Sequence, residues 1–190
     1  AMHQDKIIEN LYNFGIGEDL DINWLGFISG NLINKDKLFD IDKASIGYGY
    51  LMHTNLLQIA RAYSVFANNG FRVEPKIIYG SETVLKKVIS ADVANYVLES
   101  LRETITDGTA LNLKDSPIEI AGKTGTTNEN KDAWFIGFTP NMVIGIYVGY
   151  DIPKSLGYKQ TGSSVAVPIF NNFAKKIDLN SNNIPFRVPS

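Results

Sequence analysis

Four stretches of the chain space their apolar residues at helical intervals, and strand-like runs fill much of what lies between them. From Lys6 to Phe14, Ile7, Ile8, Leu11 and Phe14 share one side and Gly15 with Gly17 closes the segment, which predicts a short helix. Thr54 caps a second helix whose Leu56, Leu57, Ile59, Ala60, Tyr63, Val65, Phe66 and Ala67 make a broad apolar face, ended by Asn68-Asn69-Gly70. Ser90 caps a third, Ala91 to about Thr106, with Val93, Tyr96, Val97, Leu101 and Ile105 directed inward and Gly108 past its end. Val165 to Ile177 carries Val167, Phe170, Phe173, Ala174 and Ile177 as the fourth, before a frayed tail at Asn180-Ser181-Asn182-Asn183.

The segment from Glu18 to Lys43 mixes Asp, Asn and Gly with scattered apolar residues and keeps no period, so it reads as a long loop with at most brief strands. Val73 to Tyr79 and Thr83 to Val88 form paired extended segments around Gly80-Ser81. Three strands follow the third helix: Ile118 to Thr127, Asp132 to Phe138, and Met142 to Tyr150. The turn Thr139-Pro140-Asn141 makes the last two an antiparallel hairpin.

With 190 residues, 44% of them hydrophobic, the chain can bury an ordinary core and is most simply one domain. A net charge of −2, with no basic run interleaved with aromatics, offers nucleic acid no purchase. The absence of cysteine excludes disulfides, thiolate catalysis and zinc-thiolate sites without deciding a compartment. The longest apolar run, Met142 to Tyr150, is far short of the roughly 20 residues that span a bilayer, so a membrane anchor is expected only in a longer parent. Ala1-Met2-His3 lacks the layout of a secretory signal and reads as a cloning remnant; any export signal would lie upstream.

One segment points at chemistry. Lys123-Thr124-Gly125-Thr126-Thr127 places a cation and hydroxyls on a strand, and Gly122 and Gly125 remove side chains that would keep an extended peptide from lying along its edge. Alternation puts Lys123, Gly125 and Thr127 on one face and Thr124 and Thr126 on the other, so a twist or bulge is needed to gather them. Lys-Thr-Gly is a signature of penicillin-binding proteins and class A β-lactamases, where it accompanies a Ser-x-x-Lys nucleophile motif. No serine in this chain is followed three positions later by lysine.

The surroundings strengthen the likeness. Asn55 through Gly70, Asp107-Gly108-Thr109-Ala110, Ala121 through Gly137, Gly149-Tyr150-Asp151 and the helix led by Pro168 together resemble the transpeptidase domain of penicillin-binding proteins over most of the chain. Asp132-Ala133-Trp134-Phe135 resembles the bifunctional class A enzymes, while Ile46-Gly47-Tyr48-Gly49-Tyr50 is also similar to the class B enzymes. The resemblance implies an α+β fold like that of the serine β-lactamases, helices on an antiparallel sheet, of which this chain is the incomplete C-terminal portion of one domain. It implies a serine D,D-transpeptidase that cross-links peptidoglycan stem peptides, takes β-lactams, and works in the periplasm or on the extracytoplasmic face of a bacterial inner membrane. Lys123 would attract the substrate's terminal carboxylate and support the proton relay; Thr124 and Thr126 would hydrogen-bond that carboxylate, beside Gly125 and Thr127; the Thr126 N–H would be the second oxyanion donor. The serine and its lysine base would come from the upstream part of the domain, leaving this chain inactive alone, with no metal or organic cofactor. The alternatives are a β-lactamase or D,D-carboxypeptidase relative, and a non-catalytic peptide- or protein-binding module using the strand edge.

The remaining candidates favour bland readings. The Ser-x-Asn matches Ser29-Gly30-Asn31 and Ser181-Asn182-Asn183 lie where the family has already passed that motif and after Lys123, respectively. Trp134, Phe135 and Phe138 suit packing on a central strand better than ligand stacking. His53, with only His3 as companion, makes no metal-ligand set, and Asp107, Glu129, Asp132 and Asp151 show no acid–base pairing in their spacing. Gly15-Ile16-Gly17 lacks the third glycine and preceding strand of a dinucleotide loop.

Overall fold

A computed structural model of the chain describes residues 4–20, 30–32, 40–178 and 186. Ser29 and the Ser181-Asn182-Asn183 segment lie outside the described residues, as does most of the interior of the Glu18 to Lys43 segment. The chain forms two compact units, one made of Ala1–Val65 and Phe71–Val88, the other of Phe66–Gly70 and Ile89–Ser190.

The first unit contains helix α1 (Gln4–Asn13), strand β1 (Asn31–Leu32), helix α2 (Asp40–Gly47), strand β2 (Met52–His53), most of helix α3 (Leu56–Ala67), and strands β3 (Phe71–Val73) and β4 (Leu85–Lys87). β1 pairs antiparallel with β2, and β3 with β4. Among the described residues small apolar clusters hold it, one around Ile8 and Ile46, another around Ile16, Leu32 and Ala62. α2 begins at Asp40, inside the stretch expected to be loop, and its Ile46 packs against Ile8.

α3 departs from expectation in two ways. Its cap is Asn55, whose Oδ1 accepts the Gln58 N–H at 2.8 Å while Gln58 Oε1 accepts the Asn55 N–H at 3.3 Å, a reciprocal capping box in place of the Thr54 cap. Its buried residues are Gln58, Arg61, Ala62, Ser64 and Val65, with Leu57 left exposed. Most of the buried polar atoms there are paired: Gln58 Nε2 donates to the Glu18 carbonyl at 2.9 Å, and Ser64 Oγ donates to the Arg61 carbonyl at 2.6 Å and accepts the Val73 N–H at 2.9 Å, while Arg61 Nε has no hydrogen-bond partner among the described residues. Arg61 and Arg72, 3% and 2% exposed, share Glu74 at 3.0 and 2.6 Å. Arg72 reaches Glu18 at 2.7 Å and donates to the Tyr12 and Asn13 carbonyls at the end of α1. The Arg61 guanidinium donates to the Gly15 carbonyl and lies so close that a Cβ on Gly15 would fall 2.6 Å from its Nε, at a φ of +90° that disfavours side chains in any case.

The second unit is an antiparallel sheet with helices packed on it. Strands β5 (Ala121–Thr126), β6 (Ala133–Thr139) and β7 (Met142–Val148) lie in that order, with Lys123 opposite Ile136, Thr124 opposite Phe135 and Gly125 opposite Trp134. Pro140-Asn141 makes the two-residue turn from β6 to β7, with Pro140 at the position its fixed φ suits. Helix α4 (Ala91–Thr106) and helix α5 (Val167–Asp178), the latter preceded by a π-helical turn at Gly162–Ala166, complete the unit. Ser90 caps α4 as expected. The inward face of α4 is Ala94, Leu98, Leu101 and Ile105, whereas Val93 is 51% and Tyr96 78% exposed. Leu101 and Ile105 fit both choices, so Ala94 and Leu98, aligned with them at helical spacing, set the phase. Phe135, fully buried, meets Phe170 of α5 edge-on at 5.0 Å within a cluster that includes Leu113, Ile120 and Val167.

Candidate functional site

β5 is an edge strand: β6 covers one side, and no strand pairs with the other among the described residues. Its buried start, Ala121 and Gly122, gives way to exposed Lys123 and Thr126. The β5–β6 ladder runs without interruption from Ala121 to Thr126, so no bulge gathers the polar side chains. Lys123 folds onto its own strand, with Nζ 2.9 Å from the carbonyl oxygen of the next residue, Thr124. No carboxylate pairs with that ammonium among the described residues.

Three neighbouring segments of the second unit converge on this strand. At the end of α4, Thr104 Oγ1 donates to the Gly122 carbonyl at 2.6 Å, which ties the helix to the strand just before Lys123. In the turn that follows α4, Thr109 places its hydroxyl 2.7 Å from that of Thr124. The π-helical turn before α5 supplies the third: the Gly162 N–H donates to Thr126 Oγ1 at 3.1 Å, and Ser163 Oγ donates to the Thr109 carbonyl. The contact requires glycine at 162, since a Cβ there would sit 2.5 Å from the Trp134 carbonyl oxygen and 2.7 Å from that of Gly125.

The turn from β5 to β6 is held separately. Thr127 Oγ1 accepts the Asp132 N–H at 2.8 Å and hydrogen-bonds Asp132 Oδ2 at 3.2 Å; the Thr127 N–H donates to the Asp132 carbonyl at 3.1 Å. Tyr147 of β7 donates to Asp132 Oδ1 at 2.9 Å and packs against Trp134 with ring centroids 4.6 Å apart and planes inclined at 55°. That hydrogen bond to a carboxylate, with some burial and the charges of Asp132 and Asp151, holds the Tyr147 phenol above its ordinary value. Asp132, one of the scattered acids in the sequence, thus anchors the turn.

The residues expected from the sequence, Lys123, Thr124, Gly125, Thr126 and Thr127, lie along one stretch of chain, with Thr127 drawn into the turn. Phe135 and Phe138 are fully buried in packing, and Trp134 is half-buried against Tyr147. Sequence reasoning did not find Thr109, Gly162 and Ser163 as neighbours of the strand. Asp107-Gly108-Thr109-Ala110 stands out only for its likeness to the family, and Gly162 and Ser163 lie just ahead of the helix expected from Val165; neither position shows which side chains meet the strand. Thr126 keeps a hydroxyl proton free to donate, and the Thr109–Thr124 pair, in which either hydroxyl can be the donor, keeps one more. Thr126 Oγ1 accepts from Gly162, which leaves its own hydrogen to donate. An ammonium without a carboxylate partner among the described residues, on the same strand as such hydroxyls, is chemistry for a carboxylate.

Over residues 1–175 the sequence matches the family described as the penicillin-binding protein transpeptidase domain. It is similar to penicillin-binding protein 1A of Rickettsia bellii, 34% identical over 223 residues covering 100% of this chain and 26% of that protein. The chain spans about a quarter of the length of the curated relatives it matches. Its fold resembles the transpeptidase domain of Burkholderia pseudomallei penicillin-binding protein 3, with a TM-score of 0.79 and 22% identity over 99% of this chain and 60% of that one. Penicillin-binding protein 1A from Haemophilus influenzae is similar in fold at a TM-score of 0.74 and 23% identity, covering 98% of this chain and 32% of that one.

Proposed function

The chain belongs to the penicillin-binding protein transpeptidase family, and from that premise we propose that it supplies the carboxylate-binding and oxyanion strand of a serine D,D-transpeptidase that cross-links peptidoglycan stem peptides. The 190 residues are then the C-terminal portion of one transpeptidase domain. The nucleophilic serine and its lysine base come from outside this sequence, which contains no Ser-x-x-Lys. The observation that carries the reading is the open edge of β5, where Lys123 has no carboxylate partner among the described residues and the hydroxyls of Thr124 and Thr126 lie on either side of Gly125.

In the reaction, the serine oxygen attacks the carbonyl carbon between the two terminal D-alanines of a stem peptide. The C–N bond breaks, the departing D-alanine carries off a proton on its amine, and the acyl group stays on the serine as an ester. A neighbouring stem's amine then attacks that ester, forms the cross-link and returns the proton to the serine. Lys123 holds the leaving D-alanine's carboxylate and raises the acidity of groups in the proton relay; Thr124 and Thr126 donate to the same carboxylate. The Thr126 N–H faces the oxygen that becomes negative when the carbonyl is attacked. Because a β-lactam carries a carboxylate and a strained amide, it takes the same place. Peptidoglycan is assembled outside the cytoplasm, so on this reading the parent acts in the periplasm or on the extracytoplasmic face of a bacterial inner membrane.

The test is acylation by a fluorescent penicillin in the parent protein. Lys123→Ala should slow it on the order of a hundredfold, the loss typical of removing one preorganised charge or donor from a reacting centre. Lys131→Ala should leave it unchanged, because Lys131 is engaged at 2.7 Å with Glu129. Equal rates for the two variants would refute the reading. The isolated 190-residue chain should take no covalent label.

A further inference from the structure

Resting on that reading, we propose that Thr109 is a further substrate-binding residue, donating or relaying a hydroxyl hydrogen bond to the same carboxylate, and that Ser163 is the positioning residue that holds it there. A pair of hydroxyls 2.7 Å apart shares one proton between them, so the Thr109–Thr124 pair has one further proton with nowhere to go inside the pair. Neither hydroxyl has another partner among the described residues, and Thr109 is exposed on the open side of the strand. An anionic oxygen beside Lys123 is the acceptor that would use that proton best, since a hydrogen bond to a charged group is about twice as strong as a neutral one. When Thr124 turns its proton to the carboxylate, its oxygen can accept from Thr109, and the pair acts as a two-hydroxyl relay.

Thr109 is not held there by its own side chain alone. The Ser163 hydroxyl donates to the Thr109 carbonyl, and Ser163 follows Gly162, whose N–H is fixed on Thr126 Oγ1. The Thr109 and Thr126 sides of the strand are thereby linked through two adjacent residues of the π-helical turn. The neighbouring Ala110 N–H, donating to the Thr104 carbonyl at 2.9 Å, fixes the turn from the other side. A shift of the π-helical turn would therefore move the hydroxyl of Thr109 and the acceptor state of Thr126 together.

The experiment uses the parent protein and two acyl-D-alanyl thioesters of thioglycolate, one with the free terminal carboxylate and one with it methylated, followed by thiol release. Wild type should prefer the acid. Thr109→Val should lower kcat/KM for the acid by about tenfold or more, the scale of a lost hydrogen bond to a charged group, and leave the methyl ester within about twofold. Thr109→Ser should restore the acid rate. Ser163→Ala should show the same acid-selective loss in smaller measure. If Thr109→Val slows acid and ester equally, or slows neither, Thr109 makes no carboxylate contact and the proposal is overturned. A wild type indifferent between acid and ester would overturn the carboxylate reading of the whole strand, whereas a wild type that prefers the acid beside an unaffected Thr109→Val overturns Thr109 alone.

Discussion

The two units hold contrasting cations. In the first, Arg61 and Arg72 are buried and engaged on several sides, by Glu18, Glu74 and the carbonyls of Tyr12, Asn13 and Gly15. In the second, Lys123 is exposed and touches only a backbone carbonyl of its own strand. A buried guanidinium left without partners would cost several kcal/mol, so the first arrangement is a requirement of folding. An exposed ammonium costs nothing in water, and its free valence is available to a ligand. Between these cations, engagement by carboxylates marks the structural charge, and its absence, on a strand whose hydroxyls can still donate, marks the functional one.

That contrast is broken most easily at its two extremes. Arg72→Met should destabilise the protein by about 3–5 kcal/mol, because Glu18 and Glu74 lose a buried partner. Lys123→Met should change stability by less than about 0.5 kcal/mol, the usual range for an exposed site. Chemical denaturation of the parent followed through the transpeptidase transition measures both. A Lys123 variant as unstable as the Arg72 variant would remove the distinction.

Gly162→Ala probes the point where packing and chemistry meet in the second unit. Its new Cβ must displace the π-helical turn from the Trp134 and Gly125 carbonyls, and backbone cannot yield as a side-chain tip can. Overpacking of this kind costs about 1–3 kcal/mol. Penicillin acylation should fall on the order of tenfold or more, as a displacement of about 1 Å at a positioned site commonly produces. Loss of stability with an unchanged acylation rate would show that the turn is scaffold only. A smaller effect compares the two helix starts. Asn55→Ala removes one half of a reciprocal box and should cost about 1 kcal/mol, whereas Ser90→Ala removes a single 3.4 Å contact and should cost about 0.5 kcal/mol. Thermal unfolding of the two variants gives the order directly.

How far the sequence foretold these features follows from how local each one is. α4 was legible from Ser90 to Thr106 because its cap, length and stop are all encoded within a few residues. Its buried face was not, because Val93 and Tyr96 are as apolar as Ala94 and Leu98, and only the partner surface selects between phases one residue apart. The β6–β7 hairpin was legible through Pro140-Asn141. The polar interior of α3 was hidden, since the partners of Gln58, Arg61 and Ser64 come from Glu18, Glu74 and Val73, none of them within the helix. The same holds at the candidate site: the strand residues share one motif, but Thr109 and Ser163 reach it from positions 15 and more residues away in the chain.

A further prediction concerns the exposed polar network of the second unit, Thr127, Asp132 and Tyr147. Because Tyr147 donates its proton to Asp132, the neutral phenol is favoured in the folded state and its pKa lies above the ordinary value near 10. The sign follows from proton counting. Below the unfolded pKa both states hold the proton and the stabilisation is complete; as pH rises past it the unfolded chain releases the proton first, and the stabilisation is lost by the time the folded phenol ionises. At neutral pH Tyr147→Phe should cost less than about 1 kcal/mol, since Tyr147 is well exposed and water screens the interaction. Ultraviolet difference titration against Tyr147→Phe isolates this phenol. In Asp132→Asn its ionisation should move down toward the ordinary value, because the carboxylate that held the proton has become a neutral amide. A phenol that titrates at the same pH with and without the Asp132 carboxylate would mean that this network is open in solution, and that the second unit pins its β5–β6 turn by the Thr127 backbone contacts alone.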